Sequence, residues 1–93
     1  MYLPNELAYV IRDGFAVTVL HSLVIPFRHA QDYFSLTTQE IIACDELIRQ
    51  ARTTLLSEDA SIQGFNIGVN NGAAAGQTIF HCHLHLIPGA SVI

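Results

Sequence analysis

The chain has 93 residues, 51% of them hydrophobic, with four basic residues, eight acidic residues and a formal net charge of −4. This length and apolar content suit a single domain spanning residues 1–93, and the low positive charge argues against a nucleic-acid partner. The sequence contains no apolar run long enough to span a membrane and no signal peptide. Cys44 and Cys82 are not spaced as a metal or redox motif, so we predict reduced thiols and a cytoplasmic location.

Two strands are predicted in the first part of the chain. Leu7–Arg12 is apolar and β-prone, and the Asp13-Gly14 pair that follows is a strong hairpin signal. The apolar stretch Phe15–Phe27 is too long for one ordinary strand. We therefore expect a break near Leu20-His21, followed by a strand from His21 to Ile25 that ends at Pro26.

One long helix is predicted in the middle of the chain. Residues 28–34 indicate a turn or a short helix, and Thr37 with Glu40 forms a capping box. The helix should run from about Thr38 to Leu56, because apolar residues recur there at helical spacing and form one stripe. This stripe is expected to cover the core.

The last part of the chain returns to strands. Phe65–Asn70 alternates apolar and polar residues, the small-residue loop Asn71–Gly76 follows, and a histidine-bearing strand is predicted over Thr78–Ile87. The element order predicts an α+β fold. It should contain an antiparallel sheet of about five strands covered by one long helix and a short helix.

The strongest functional signal is the alternation of three histidines, His81, His83 and His85. In a strand these side chains share one face, each about 6.5 Å from the next, while Cys82 and Leu84 point to the other face. Imidazoles suit phosphate chemistry, because one histidine can attack phosphorus and a neighbour that titrates near neutral pH can protonate the leaving group. Glycine N–H groups in the preceding loop could cradle an anion.

Two other interpretations of the histidines stay open. Three imidazoles could bind zinc, although alternating histidines on one straight strand converge poorly on a single ion at about 2.0–2.1 Å. The histidines could also simply line a polar sheet face. Among the remaining candidates, His29 is expected to be solvated, His21 is left open, and Asp13 could be an ordinary turn residue beside a glycine.

The sequence resembles the histidine triad (HIT) family. His81-Cys82-His83-Leu84-His85-Leu86-Ile87 matches that family's alternating histidine and apolar signature. The segments Phe65–Gly72 and Ala75–Thr78 resemble the region that the family carries before its triad. His21–His29 resembles a further family segment, in which two histidines flank aliphatic residues and a proline. The resemblance extends over roughly Leu7 to Pro88.

The resemblance implies a metal-independent enzyme, a hydrolase or transferase that cleaves a purine nucleotide at its α-phosphate. His83 would be the nucleophile and would form a covalent nucleotidyl-histidine, with His81, His85 and His21 as its catalytic neighbours. The nucleotide would be bound by four further residues, namely Asp13, Asn70, Gln77 and Thr78. No cofactor is required, although magnesium can accompany the substrate, and a homodimer is expected.

The sequence also departs from the family pattern. Val19-Leu20 stands where the family usually has Pro-Gly, and the C-terminus after Pro88 is short. The alternative function is therefore a nucleotide-binding or regulatory module of the same fold with little turnover. The sequence does not decide whether the substrate is a dinucleoside polyphosphate or a nucleoside phosphoramidate.

Overall fold

A computed structural model describes residues 4–13 and 20–89. Those residues form four strands and one long helix, in the order β1 Ala8–Arg12, β2 Ser22–Pro26, α1 Thr38–Glu58, β3 Gly64–Gly68 and β4 Leu84–Gly89. Short 3-10 helices lie at Tyr33–Ser35 and Ala73–Ala75. The predicted α+β class is confirmed.

The strands form one antiparallel sheet in the order β1-β2-β4-β3. The described residues contribute four strands, so the expected number of about five is wrong for this part of the chain. The additional strand was expected to begin at Phe15, and residues 14–19 lie outside the described residues. Asp13 donates its backbone N–H to His21 O at 2.9 Å, next to the antiparallel pairing of β1 with β2. The hairpin turn predicted at Asp13-Gly14 lies partly outside the described residues.

Helix α1 begins at the predicted capping box. Thr37 Oγ1 accepts the Glu40 N–H at 3.1 Å, and a Glu40 carboxylate oxygen accepts the Thr37 N–H at 2.9 Å. These reciprocal bonds satisfy two N–H groups that the first helical turn leaves unpaired. The apolar stripe packs on β1, β2 and β4, and its buried members are Ala43, Cys44, Leu47, Ile48, Ala51 and Leu55. Among the described residues, no helix is long and apolar enough to cross a membrane.

A buried carboxylate joins the start of α1 to the turn after β2. Glu40 accepts hydrogen bonds from Arg28 Nε at 3.0 Å and from Arg28 Nη2 at 2.8 Å. Arg28 Nη2 also donates to Ser35 O at 2.7 Å. The hydrogen bonds from Arg28, followed by that from Thr37, lower the pKa of Glu40 to about 2. The turn is therefore held to the helix by a charged group that stays ionised.

The histidine segment differs from its predicted bounds. β4 begins at Leu84, so His81 and His83 precede the strand that was expected to start at Thr78. The alternation of faces persists, with Cys82 and Leu84 buried between the half-buried histidines. The strand begins later than predicted because the backbone at Cys82 has a different partner. The Cys82 N–H donates to Ala30 O, in the loop after β2, at 2.7 Å.

Leu20 occupies an unusual backbone conformation at the predicted break before β2. Its φ is +73°, in the left-handed region that glycine adopts easily and that costs a residue with a Cβ about 1–2 kcal/mol. The side chain is half-buried and packs against the core. The leucine therefore stabilises the core and strains the backbone at the same position.

We predict that Leu20→Gly is more stable than Leu20→Ala by about 1 kcal/mol, because glycine relieves the left-handed strain while both substitutions lose the packing. Urea unfolding of the two variants measures this difference. Gln50, an exposed position within α1, provides the control. There alanine should be the more stable by about 1 kcal/mol. The prediction would be contradicted if Leu20→Ala were as stable as Leu20→Gly or more stable.

Candidate active site

A cleft of about 680 Å³ lies along the triad. β1 and β2 pair so that Tyr9 lies opposite Ile25 and Ile11 opposite Leu23, and Leu23 in turn pairs with His85 on β4. Because alternate residues share a face, these side chains form one surface on the side of the sheet away from α1. The cleft lining is completed by Arg12, Asp13, Thr78, Ile79, His81 and His83.

The protonation of His83 is set by a backbone carbonyl. Its Nδ1 lies 2.8 Å from His81 O. A carbonyl oxygen only accepts hydrogen bonds, so Nδ1 must carry the proton. In the neutral imidazole the lone pair is then on Nε2, which is free of this bond. The middle histidine therefore has the tautomer that a nitrogen nucleophile needs.

His81 is oriented in the same way by the end of β2. Its Nε2 donates to Pro26 O at 2.9 Å. The exposed ring of His29 meets the His81 ring edge-on, with 5.2 Å between centroids. His29 is solvent-exposed as predicted, but it also contacts a triad residue.

His21 and His85 form a direct imidazole pair. His21 Nε2 lies 2.9 Å from His85 Nδ1. One nitrogen must donate and the other must accept, so this bond cannot survive if both rings are cationic. Burial, followed by the neighbouring His21 and His83, lowers the pKa of His85 below 6.5. The pair therefore favours a neutral His85 at physiological pH.

Two of the predicted nucleotide-binding residues lie at the cleft. Asp13 lines it near the His21–His85 pair, and Thr78 lines it close to the start of the triad. Asp13 is fixed through its backbone bond to His21 O. Asp13 and Thr78 therefore bring a carboxylate and a hydroxyl to the same cleft as the three imidazoles.

The other two predicted binding residues instead support the loop that precedes the triad. Gln77 is only 4% exposed, and its amide donates to Gln31 O at 2.6 Å and to Ile79 O at 3.0 Å. Asn70 Nδ2 donates to Ala75 O at 2.7 Å. Neither is among the described residues that line the cleft. Contact of Gln77 or Asn70 with a ligand stays a prediction.

The small-residue loop does not offer the anion cradle expected from its glycines. Gly72 N–H donates to Gln77 Oε1 at 2.7 Å, and Gly76 N–H donates to Ala73 O at 3.0 Å. Both N–H groups are therefore used inside the loop. The glycines serve its backbone shape, since their φ values of +89° and +90° are in a region that other residues rarely adopt.

The sequence analysis did not identify the apolar floor of the cleft. Tyr9, Ile11, Leu23 and Ile25 were assigned only to strands, yet the pairing of β1 with β2 brings them beside the histidines. Alternation along each strand indicates which residues share a face. Only the strand register determines which of the two faces meets the triad.

The described residues contain no group of three or more His, Cys, Asp or Glu side chains placed to hold a metal ion. Two of the triad imidazoles are turned toward backbone carbonyls, His81 toward Pro26 O and His83 toward His81 O.

Comparison with known proteins identifies relatives of this chain. The HIT domain model matches residues 2–92. A HIT-like protein of Mycoplasma pneumoniae is 39% identical over 84 residues, which are 90% of this chain and 58% of that protein. The adenylylsulfatase HINT3 of Arabidopsis thaliana is 38% identical over 84 residues, covering 90% of this chain and 42% of that enzyme. The chain thus spans only about half of the length of these curated relatives.

A solved structure is similar over almost the whole chain. The crystal structure of a HIT family protein from Bacillus anthracis matches with a TM-score of 0.89 and 37% identity. The match covers 98% of this chain and 64% of the Bacillus anthracis chain. The α+β arrangement described above is therefore shared with an experimentally determined fold.

We predict that acid destabilises the protein partly through His85. Its lowered pKa means that folding disfavours protonation, so its contribution is complete above pH 6.5 and is lost as pH falls from 6.5 toward the folded-state pKa. The free energy of unfolding, measured in urea, should fall over this pH range for the wild type. It should fall less for His85→Gln. An NMR titration in which the His85 ring is protonated at pH 7 would contradict the assignment.

Proposed function

The chain belongs to the HIT family, and on that premise we propose that it hydrolyses or transfers a nucleotide at its α-phosphate through a covalent nucleotidyl-His83. The observation that carries this proposal is the bond from His83 Nδ1 to His81 O at 2.8 Å. It leaves the Nε2 lone pair of a neutral imidazole available beside the cleft, as attack on phosphorus requires.

The proposed reaction has two displacements at phosphorus. His83 Nε2 bonds to the α-phosphorus while the phosphoanhydride or phosphoramidate bond breaks, and the departing atom takes one proton from a neighbouring imidazole. Water then attacks the same phosphorus and gives one proton to that imidazole, the bond to His83 breaks, and a nucleoside monophosphate is released. His81, His85 and His21 would orient the nucleophile, contact phosphate oxygens and move the proton.

The remaining cleft residues suit the nucleoside. Asp13 would accept hydrogen bonds from the ribose hydroxyls, and Thr78 would donate to a phosphate oxygen. A purine base would lie on Ile11 and Leu23, whose apolar side chains line the same cleft. This arrangement combines an apolar floor with a few polar groups, as is usual in small-molecule sites.

The proposed mechanism needs no cofactor, because the imidazoles and the phosphate oxygens supply all the atoms of the two steps. Magnesium would enter only with a polyphosphate substrate.

Cys44 and Cys82 are free and buried thiols, in keeping with the cytoplasmic location predicted from the sequence.

We predict that His83→Ala lowers turnover about a thousand-fold or more, because a residue that forms the covalent intermediate has no substitute in the site. The assay would use adenosine phosphoramidate and a diadenosine polyphosphate side by side, after chelator treatment. Nucleotide affinity, measured by calorimetry, should be retained, and this serves as the control for folding.

Turnover that survives in His83→Ala would reject His83 as the nucleophile. Nucleotide binding without any product from the wild-type protein would instead favour the alternative, a binding module with little turnover.

We also propose a homodimer that uses the β3 edge of the sheet. Ile67 on this edge strand is 62% exposed, and an apolar groove of about 270 Å³ lies between it and Ile41 and Ile48 of α1. Exposed apolar surface at a strand edge favours pairing with a second copy. Sedimentation velocity should give a dimer for wild type and a monomer for Ile67→Lys. A monomeric wild-type protein would contradict the proposal.

A further inference from the structure

The peptide between His81 and Cys82 carries both of the groups that place the proposed nucleophile. Its carbonyl accepts the bond from His83 Nδ1 at 2.8 Å, and its N–H donates to Ala30 O at 2.7 Å. The unit is planar and trans, so these two groups point in opposite directions and can only turn together. The Ala30 carbonyl, in the loop after β2, therefore fixes the direction in which the His81 carbonyl meets the His83 ring.

A buried amide joins the same two segments of the chain. Gln77, which precedes the triad, is only 4% exposed. Its Nε2 donates to Gln31 O at 2.6 Å, one residue beyond Ala30, and to Ile79 O at 3.0 Å. Its Oε1 accepts the Gly72 N–H at 2.7 Å. Both amide protons and one oxygen lone pair are used, so the side chain has one orientation in this fold.

The loop after β2 is attached on both sides of this amide by other contacts. Arg28, at its start, is paired with Glu40 at 2.8 Å. Further along, the Tyr33 N–H donates to Asn71 Oδ1 at 2.8 Å. Gln77 reaches the backbone between these two attachments. Removal of its hydrogen bonds should therefore release the centre of the loop while the two attachments and the fold persist.

We propose that Gln77 is a positioning residue for the nucleophile, because it holds the loop after β2 and thereby aims the His81 carbonyl at His83 Nδ1. This inference rests on the proposed function and adds a residue that acts without touching the reacting atoms. The tautomer of an imidazole is set by the hydrogen bond that one of its nitrogens makes. When the loop shifts, the His81 carbonyl turns away and the proton can occupy Nε2. That nitrogen then lacks the lone pair that attacks phosphorus.

The test replaces Gln77 by methionine, which keeps the length of the side chain and removes its hydrogen bonds. The NMR shifts of the His83 ring nitrogens, recorded in the free protein while the imidazole is neutral, report which nitrogen is protonated. We expect Nδ1 in wild type and a substantial share of Nε2 in Gln77→Met. The kcat for adenosine phosphoramidate should fall about ten- to a hundred-fold. The affinity for adenosine monophosphate, measured by calorimetry, should stay at the wild-type value.

Asn5→Leu provides the matched control, since it also replaces a bridging amide by an apolar side chain of similar length. Asn5 Nδ2 donates to Ala43 O at 2.9 Å, and its Oδ1 accepts the N–H groups of Leu7 and Ala8. Asn5 is not among the described residues that line the cleft. This variant should lose stability in urea, while the His83 tautomer and kcat stay at their wild-type values.

The tautomer separates this inference from the proposed function, because it is measured without turnover. A His83 tautomer that Gln77→Met leaves unchanged would overturn the positioning role, and reduced affinity for the nucleotide would then make Gln77 a binding residue. An equal change in Asn5→Leu would also overturn it, since the cause would be a general loosening of the fold. An inactive wild-type protein would reject hydrolysis and leave the tautomer result standing.

Hydrogen exchange of the wild-type protein decides the matter if Gln77→Met does not fold. The Cys82 N–H and the Gln77 Nε2 protons should become exposed in the same opening event, with the same free energy of opening. Different free energies would mean that one bond opens while the other persists, and this would overturn the proposal.

Discussion

The buried carboxylate of Glu40 connects the helix to the site. It accepts two hydrogen bonds from Arg28 and one from the Thr37 backbone, so it holds the turn after β2 against the start of α1. The end of β2 and this turn supply the carbonyls of Pro26 and Ala30, which accept bonds from the His81 ring and from the Cys82 backbone. The position of the triad therefore depends on a charge pair on the other side of that turn.

The site relies on hydrogen bonds that orient its imidazoles more than on fixed charges. Backbone carbonyls select the tautomers of His81 and His83, and His21 with His85 shares one proton across 2.9 Å. Such groups are held in place before a ligand arrives, so little reorganisation accompanies binding.

Sequence periodicity was enough to predict the helix, its capping box and the alternation of the histidines, because these depend on local spacing. Periodicity did not predict that Gln77 supports the loop before the triad, or that strand residues form the apolar floor of the cleft. The Gln77 amide donates to the carbonyls of residues 31 and 79. The floor depends on the β1–β2–β4 register. The left-handed backbone at Leu20 was also unexpected, because leucine gives no sign of a positive φ.

The place of β4 in the sheet has a consequence for how the chain is made. β4 is the last of the four described strands in the sequence, yet it lies between β2 and β3. During synthesis the ribosome releases β1, β2, α1 and β3 first, and until β4 emerges both β2 and β3 have an unpaired edge. Such edges can pair with other chains. The segment that bears the three histidines therefore also contains the strand that joins β2 to β3 and covers their facing edges.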